Sequence, residues 1–211
     1  METFAHEKAY RGDSALKKIE AAHIVQCGLG AIGSNLVTHL SRQGFKNFVG
    51  IDFDRIEDHN RHTQIWGKRE VGQLKAQALQ FRLYQEMGIR PEVFPKRIEE
   101  VNLKKVVKPN TLFIDGFDNT EARQFVKNYT TENKIECLHI GLYKDYAEVV
   151  WNENYSVPKK KGEDVCEYPL ARNVVLMSVV VAADVIIRYL IKGEKENYSI
   201  TLKDFKVSKM Y

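Results

Sequence analysis

The sequence predicts an α/β fold: Rossmann-like and doubly wound, with a mostly parallel sheet and helices on both faces. Three observations carry this expectation. Short apolar runs alternate with longer stretches of helical periodicity. One such run, His23–Cys27, ends in Gly28-Leu29-Gly30-Ala31-Ile32-Gly33 and passes directly into a helical pattern. The next strand-like run closes on Asp52, 24 residues after Gly28.

The elements follow in order. A polar N-terminal stretch carries one expected helix around 15–22. His23–Cys27 reads as a buried strand. From Ser34 to Gln43, Leu36, Val37 and Leu40 fall at helical spacing, and Gly44 stops the helix. Asn47–Phe53 is a second strand, followed by a polar stretch from Arg55 to Arg69. Gln73–Met87 is a helix ended by Gly88 and Pro91. Pro91–Ile98 is a third strand, Glu99–Val107 a helical stretch and Asn110–Asp115 a fourth strand. Thr120–Asn133 is a long helix, and Ile135–Ile140 and Tyr146–Trp151 are later strands. Residues 152–169 hold Pro158, Lys159-Lys160-Lys161-Gly162 and little that could form core, so they read as a polar, flexible crossover loop. Leu170–Ile191 is a closing helix, and Tyr198–Val207 adds a strand.

With 211 residues, the chain is expected to form one domain, residues 1–211, large enough to bury a core. The net charge of +4 suits an anionic ligand or an acidic partner but is weak grounds for nucleic acid, and no nucleic-acid role is expected. The apolar stretch 173–190 is interrupted by Ser178, Asp184 and Arg188, so a buried helix fits it better than a membrane span. Three widely spaced cysteines, with no CxxC pair and no apolar leader, point to a reducing cytoplasm.

The glycine segment has a physical reading. The first glycine permits a tight turn, the second lets backbone approach a phosphate, and the third allows close helix packing. The helix start then offers free N–H groups to an anion. Gly28, Gly30 and Gly33 are therefore candidate nucleotide contacts, and Asp52 a candidate acceptor for ribose hydroxyls. These residues do not choose between NAD and ATP, and a domain of this shape without its ligand remains the plain alternative.

Further on, the chain reads Asp52-Phe53-Asp54-Arg55-Ile56-Glu57-Asp58-His59-Asn60-Arg61-His62-Thr63-Gln64. Gly72-Gln73-Leu74-Lys75 follows, and later Asp115-Gly116-Phe117-Asp118-Asn119-Thr120-Glu121-Ala122-Arg123. This order resembles the ThiF/MoeB/ubiquitin-activating enzyme superfamily over about residues 21–123, and more loosely the closing helix with Asp184. The resemblance implies ATP and Mg²⁺ as cofactors. It implies adenylation of the C-terminal carboxylate of a small ubiquitin-like or sulfur-carrier protein ending in Gly-Gly. Asp52 would hold the ribose, with Asp54 beside it. Asn60, Lys75 and Arg61 would hold phosphate oxygens, and Asp118 the metal. A helix N-cap is the alternative for Asp118-Asn119, and a solvated helix lysine for Lys75. Where most members carry an arginine, three residues after the asparagine, this chain has Thr63. Arg61 is the nearest substitute. Relatives also imply a homodimer or a related partner subunit, with Arg11 the candidate for an arginine contributed across it.

Many relatives carry two CxxC pairs; this chain has neither, so no structural zinc is expected. The resemblance places Cys166 where ubiquitin-activating enzymes bear a thioester cysteine. Its lysine neighbours 159–161, if near, would lower its pKa and Glu163, Asp164 and Glu167 would raise it, and an ordinary loop cysteine is the alternative. Cys27 and Cys137 read as core packing. His59 and His62 flank Asn60-Arg61 with no third ligand, which favours polar loop residues over a metal pair. Two other functions stay open: a non-catalytic partner subunit of the same fold, which Thr63 favours, and an NAD(P)-dependent oxidoreductase, which leaves Asp115, Asp118 and Arg123 unexplained.

Overall fold

The computed structural model describes residues 3–158 and 169–211. Among these, eight strands form one sheet in the order β3-β2-β1-β4-β5-β6-β7-β8. They are β1 (His23–Cys27), β2 (Asn47–Ile51), β3 (Glu92–Phe94), β4 (Thr111–Asp115), β5 (Glu136–Tyr143), β6 (Tyr146–Trp151), β7 (Asn197–Thr201) and β8 (Lys206–Met210). The first five in that spatial order run parallel. The last three alternate in direction from β5 onward. The expected α/β fold with a mostly parallel sheet is what forms.

Helices cover both faces. α2 (Asp13–Ala21), α3 (Ala31–Ser41), α4 (Lys75–Met87) and α7 (Arg172–Lys192) share one core with Ile24, Leu112, Leu138, Val149 and Ile200. α5 (Leu103–Val106) and α6 (Thr120–Glu132) close the other face over Val25, Cys27, Val49, Phe113 and Cys137. Every residue of β1 is buried, because alternate side chains enter the two cores. α7 is long and apolar enough to cross a membrane by length and composition. It packs instead on α2, α3, β6 and β7, with Val174, Val175, Ala182, Ile186 and Ile187 fully buried.

Several boundaries differ from expectation. The N-terminal helix is two: α1 (Ala5–Arg11) precedes α2, and Gly12 at φ 84° breaks them apart. The stretch 99–107 becomes a 3₁₀ turn at Ile98–Glu100 and the single-turn α5. The tail forms a hairpin of two strands, β7 and β8, rather than one, with Phe205 at φ 53° in the turn. Of the crossover loop, residues 159–168 lie outside the described residues, and with them Lys159–Lys161 and Cys166.

The order of the parallel strands reverses at β1: β2 lies on one side and β4 on the other. Such a switch leaves a crevice beyond the carboxyl ends of the two strands, where α/β sheets take ligands. Gly28 follows β1 and Gly116 follows β4, so the crevice opens at the glycine loop.

Candidate functional site

The glycine loop is shaped by close contacts. Gly28 sits at φ +81°, and a Cβ there would meet Phe117 and Gly116 at 3.0–3.1 Å. A Cβ at Gly33 would lie 1.9 Å from the Gly28 carbonyl oxygen, so α3 can approach the loop only with glycine there. Gly30 differs. A Cβ there would meet nothing closer than the Gln64 Nε2, at 3.9 Å. Among the described residues nothing fills the space beside Gly30. It adjoins the start of α3, which has no side-chain cap and whose first turn carries no acidic residue. Open backbone at an uncapped helix start suits a phosphate.

Asp52 lies beneath this loop, 6% exposed. Its Oδ2 accepts from the Leu29 N–H at 2.7 Å and its Oδ1 from the Asp54 N–H at 2.8 Å. The carboxylate thus fixes the loop to the end of β2 and keeps lone pairs for further donors. Burial pushes its pKa up to about 6, against the Lys75 charge and the two backbone donors.

Lys75 begins α4, and its ammonium lies 3.0 Å from Asp54 Oδ2. It is buried, not a solvated helix lysine. Burial alone would lower its pKa, but Asp52 and Asp54 outweigh that, and Asp118 adds to the rise. One ammonium therefore feels carboxylates from the end of β2 and from the turn after β4. Asp118 itself is exposed. Its neighbour Asn119 is the N-cap of α6, accepting from the Ala122 N–H at 2.8 Å. Capping and the exposed carboxylate are thus divided between adjacent residues.

The segment 57–64 folds as a 3₁₀ turn, Asp58–His62. Asn60 is buried; its Oδ1 accepts from the Glu57 N–H at 2.9 Å, so the half it can offer a phosphate is the Nδ2 amide. Arg61 is held by Asp58 at 2.6 Å on the exposed side. Thr63 is buried, and its carbonyl accepts from Asn35 of α3 at 2.8 Å. Gln64 carries no role in the sequence pattern beyond its place in the polar run. It is 8% exposed, its Oε1 accepts from Trp66 at 2.6 Å, and its Nε2 is the group nearest the open space at Gly30. The signal for it was the Asn60-to-Gln64 spacing, one residue beyond the missing arginine. His59 Nδ1 lies 3.4 Å from Glu57, and His62 Nδ1 lies 2.6 Å from the His59 carbonyl oxygen. Arg11 is paired with Glu7 on its own helix, at 2.7 Å.

Behind Asp118 lies a buried polar network. Asp115 Oδ2 is 2.8 Å from His139 Nδ1 and 3.5 Å from Arg123. Arg123 donates to the Tyr155 hydroxyl at 2.8 Å and to the Ile140 carbonyl at 2.9 Å. The Tyr155 ring stacks on His139, centroids 3.9 Å apart. The arginine of the Asp-x-x-Asp-Asn-x-x-x-Arg pattern thus braces the turn that carries Asp118 and anchors the first residues of the crossover segment. Burial, followed by the Asp115 charge, pushes the Cys27 and Cys137 thiols well above their usual range. Both are core residues, as expected.

The family model described as "ThiF family" matches residues 6–209. A probable molybdopterin-synthase adenylyltransferase of Gracilaria tenuistipitata var. liui is 26% identical over 171 residues, covering 74% of this chain and 46% of that protein. A sulfur carrier protein adenylyltransferase of Thermus thermophilus is 28% identical over 120 residues, covering 56% of this chain and 44% of that protein. The chain thus spans less than half the length of each. The crystal structure of E. coli MccB with ATP superposes with a TM-score of 0.81 at 19% identity, covering all of this chain and 71% of that one. At that identity the likeness is one of fold.

Proposed function

The chain belongs to the ThiF family, and from that premise we propose that it uses ATP to adenylate the C-terminal carboxylate of a small ubiquitin-like or sulfur-carrier protein. One observation carries the reading: the space at Gly30 that no side chain among the described residues fills, beside an uncapped helix start and close to Asp52 and Gln64. Open backbone at an uncapped helix start is the kind of place a phosphate occupies. The names of the relatives, adenylyltransferases of molybdopterin synthase and of a sulfur carrier, and the presence of ATP in the MccB structure lend support.

In this reaction a carboxylate oxygen of the carrier attacks the α-phosphorus. The bond from that phosphorus to the bridging oxygen breaks, and pyrophosphate leaves with the electron pair. Negative charge grows on the transferring group and the leaving group, so fixed positive charge and N–H donors lower the barrier. The α3 start, Lys75, the Asn60 amide and the Gln64 amide are the donors this chain offers. Asp52 accepts the ribose hydroxyls in its ionised form. Mg²⁺ neutralises phosphate charge when bound. Among the described residues no group of three or more acidic, histidine or cysteine side chains is placed to chelate a metal. One carboxylate, Asp118, with the remaining ligands from phosphates and water, is the kind of set Mg²⁺ takes. Cys166 would then receive the acyl group as a thioester in a second step, with AMP leaving.

ATP–pyrophosphate exchange that depends on a carrier ending in Gly-Gly tests the reading. Exchange is expected with the intact carrier, and its loss is expected on removal of the last two carrier residues or in Asp118→Ala. Mass spectrometry of the same mixture reads an adduct on Cys166. A chain that binds ATP yet supports no exchange with any such carrier would favour the second reading, a non-catalytic partner subunit. The specific observation for that reading is Thr63, buried where most relatives carry a phosphate-facing arginine, with Arg61 turned to Asp58.

A further inference from the structure

At the other end of the sheet, about 13 Å along β1 from the glycine loop, the strands begin around a cavity of about 300 Å³. Register places His23, Asn47 and Thr111 side by side there. The cavity is lined by His23 at the start of β1, Lys46 and Asn47 before and in β2, Arg90 and Glu92 at β3, and Lys108 before β4. Lys46 is neutralised by Glu20 at 2.8 Å. Among the described residues Arg90 and Lys108 have no carboxylate within ion-pair distance. Arg90 is instead held over the Tyr84 ring, 4.2 Å from its centroid, so its guanidinium is oriented without being neutralised.

His23 forms part of the wall and is 6% exposed. Its Nδ1 lies 2.9 Å from Thr111 Oγ1. That hydroxyl donates its one hydrogen to the Lys108 carbonyl at 2.7 Å and accepts from the Lys108 N–H at 2.9 Å. The Thr111 oxygen can meet Nδ1 only as an acceptor, so Nδ1 carries the proton. Among the described residues Nε2 is the ring nitrogen left without a hydrogen-bond partner.

We propose that this cavity is a second anion site, for a small multiply charged phosphate compound, held by Arg90, Lys108 and a protonated His23. Two cations with no ion-pair partner among the described residues line a cavity of about 300 Å³ that Glu92 shares, and the buried imidazole can supply a third positive charge. The lining forms no extended basic strip, which favours a small anion over a polynucleotide. The site is independent of the nucleotide reading at the opposite end of the sheet.

The charged groups facing His23 fix the pH dependence. Burial and then the Lys108 charge lower its pKa, and Glu92 opposes them. An anion seated between Lys108 and His23 cancels the repulsion and favours the imidazolium. Binding therefore favours uptake of a proton by His23, and this contribution grows as the pH falls from 8 to 6.

Calorimetric titration with inorganic pyrophosphate and with ribose 5-phosphate, alongside NMR of the histidine side chains, tests this. Saturable binding and a shift of the His23 resonance are expected, with tighter binding at pH 6 than at pH 8 when affinity is taken as a ratio to His23→Gln so that the anion's own titration cancels; the tighter ligand identifies the source of the phosphate. In Arg90→Gln/Lys108→Gln, both exposed positions that leave the core intact, affinity should fall at least tenfold. In Lys203→Gln, an exposed position in the turn between β7 and β8 at the far edge of the sheet, it should not change. The proposal fails if the double variant binds as wild type does, or if the His23 resonance stays fixed at saturation. It also fails if a single-stranded RNA oligonucleotide binds at this site more tightly than either small anion.

Discussion

Asp52 is the residue whose surroundings constrain it most. Burial pushes its carboxyl up to about 6, well above the ordinary value of 3.8. Between those values the folded chain holds a proton that the unfolded chain has released, so this group stabilises the fold at low pH and its contribution is lost as the pH rises through 6. Relative to Asp52→Asn, wild-type stability should fall by up to about 3 kcal/mol from pH 4 to pH 7, measured by urea unfolding across that range. Ligand binding runs the other way. An ionised carboxylate accepts ribose hydroxyls and a protonated one does so poorly. ATP affinity, taken as a ratio to Asp52→Asn so that the nucleotide's own titration cancels, should therefore weaken below pH 6. Lys75 is the counterpart. Lys75→Met leaves the buried Asp52 and its neighbour Asp54 without their cation. The expected loss is about 3 kcal/mol at pH 7, and most of it should return at pH 5, where Asp52 is protonated. A variant equally unstable at both pH values would show that the lysine acts through packing alone.

The elements divide structure from binding in ways that single substitutions can separate. Gly33 is needed for α3 to pack, since a Cβ would sit 1.9 Å from a backbone oxygen. Gly30 has room for one. Gly33→Ala should destabilise the fold by more than about 2 kcal/mol. Gly30→Ala should stay within about 1 kcal/mol of wild type yet lose ATP binding, because its methyl occupies the space assigned to phosphate. Equal stability losses in the two would remove the case for that space. The same division holds at α6. Asn119→Ala removes the cap and should cost about 1 kcal/mol, whereas Asp118→Ala, at an exposed position, should leave stability within about 0.5 kcal/mol and abolish exchange. These elements also mark how far the sequence could be read. The glycine loop, the start of α3 and the placing of Asp52 were legible because they are local: a strand, a turn and a helix in consecutive residues. The burial of Lys75 was not, because it depends on Asp54 brought to it from the end of β2. The approach of Gln64 to Gly30 was hidden for the same reason, and the pairing of Arg61 with Asp58 because it needs the 3₁₀ turn that brings residues three apart together. They arise from a 3₁₀ turn docked on α3 through Asn35, which no periodicity announces. The terminal hairpin was missed because β8 is short, polar and at an edge, so it lacks the apolar alternation that marks a buried strand.

At the scale of the whole molecule, the sheet runs without a break from the parallel half that carries the candidate nucleotide site to the antiparallel half. α7 ties the two, lying against α3 on one side and β6 and β7 on the other. One apolar core holds Leu36 of α3, Trp151 of β6, Ile187 of α7 and Ile200 of β7 together. A ligand that binds the crevice should therefore stabilise the antiparallel half as much as the half it touches. Saturation at a hundred times Kd adds about 2.7 kcal/mol, which for a chain of this length raises Tm by roughly 5–10 °C. The prediction is a single calorimetric transition that ATP moves as a unit, with hydrogen exchange in β7 slowed in step with that in β1. A second transition that ATP leaves in place, or protection gained in β1 and not in β7, would mean that the shared core does not couple the two halves. Gly30→Ala should abolish the shift in both while leaving the single transition intact, so loss of the ligand and loss of the coupling give different traces.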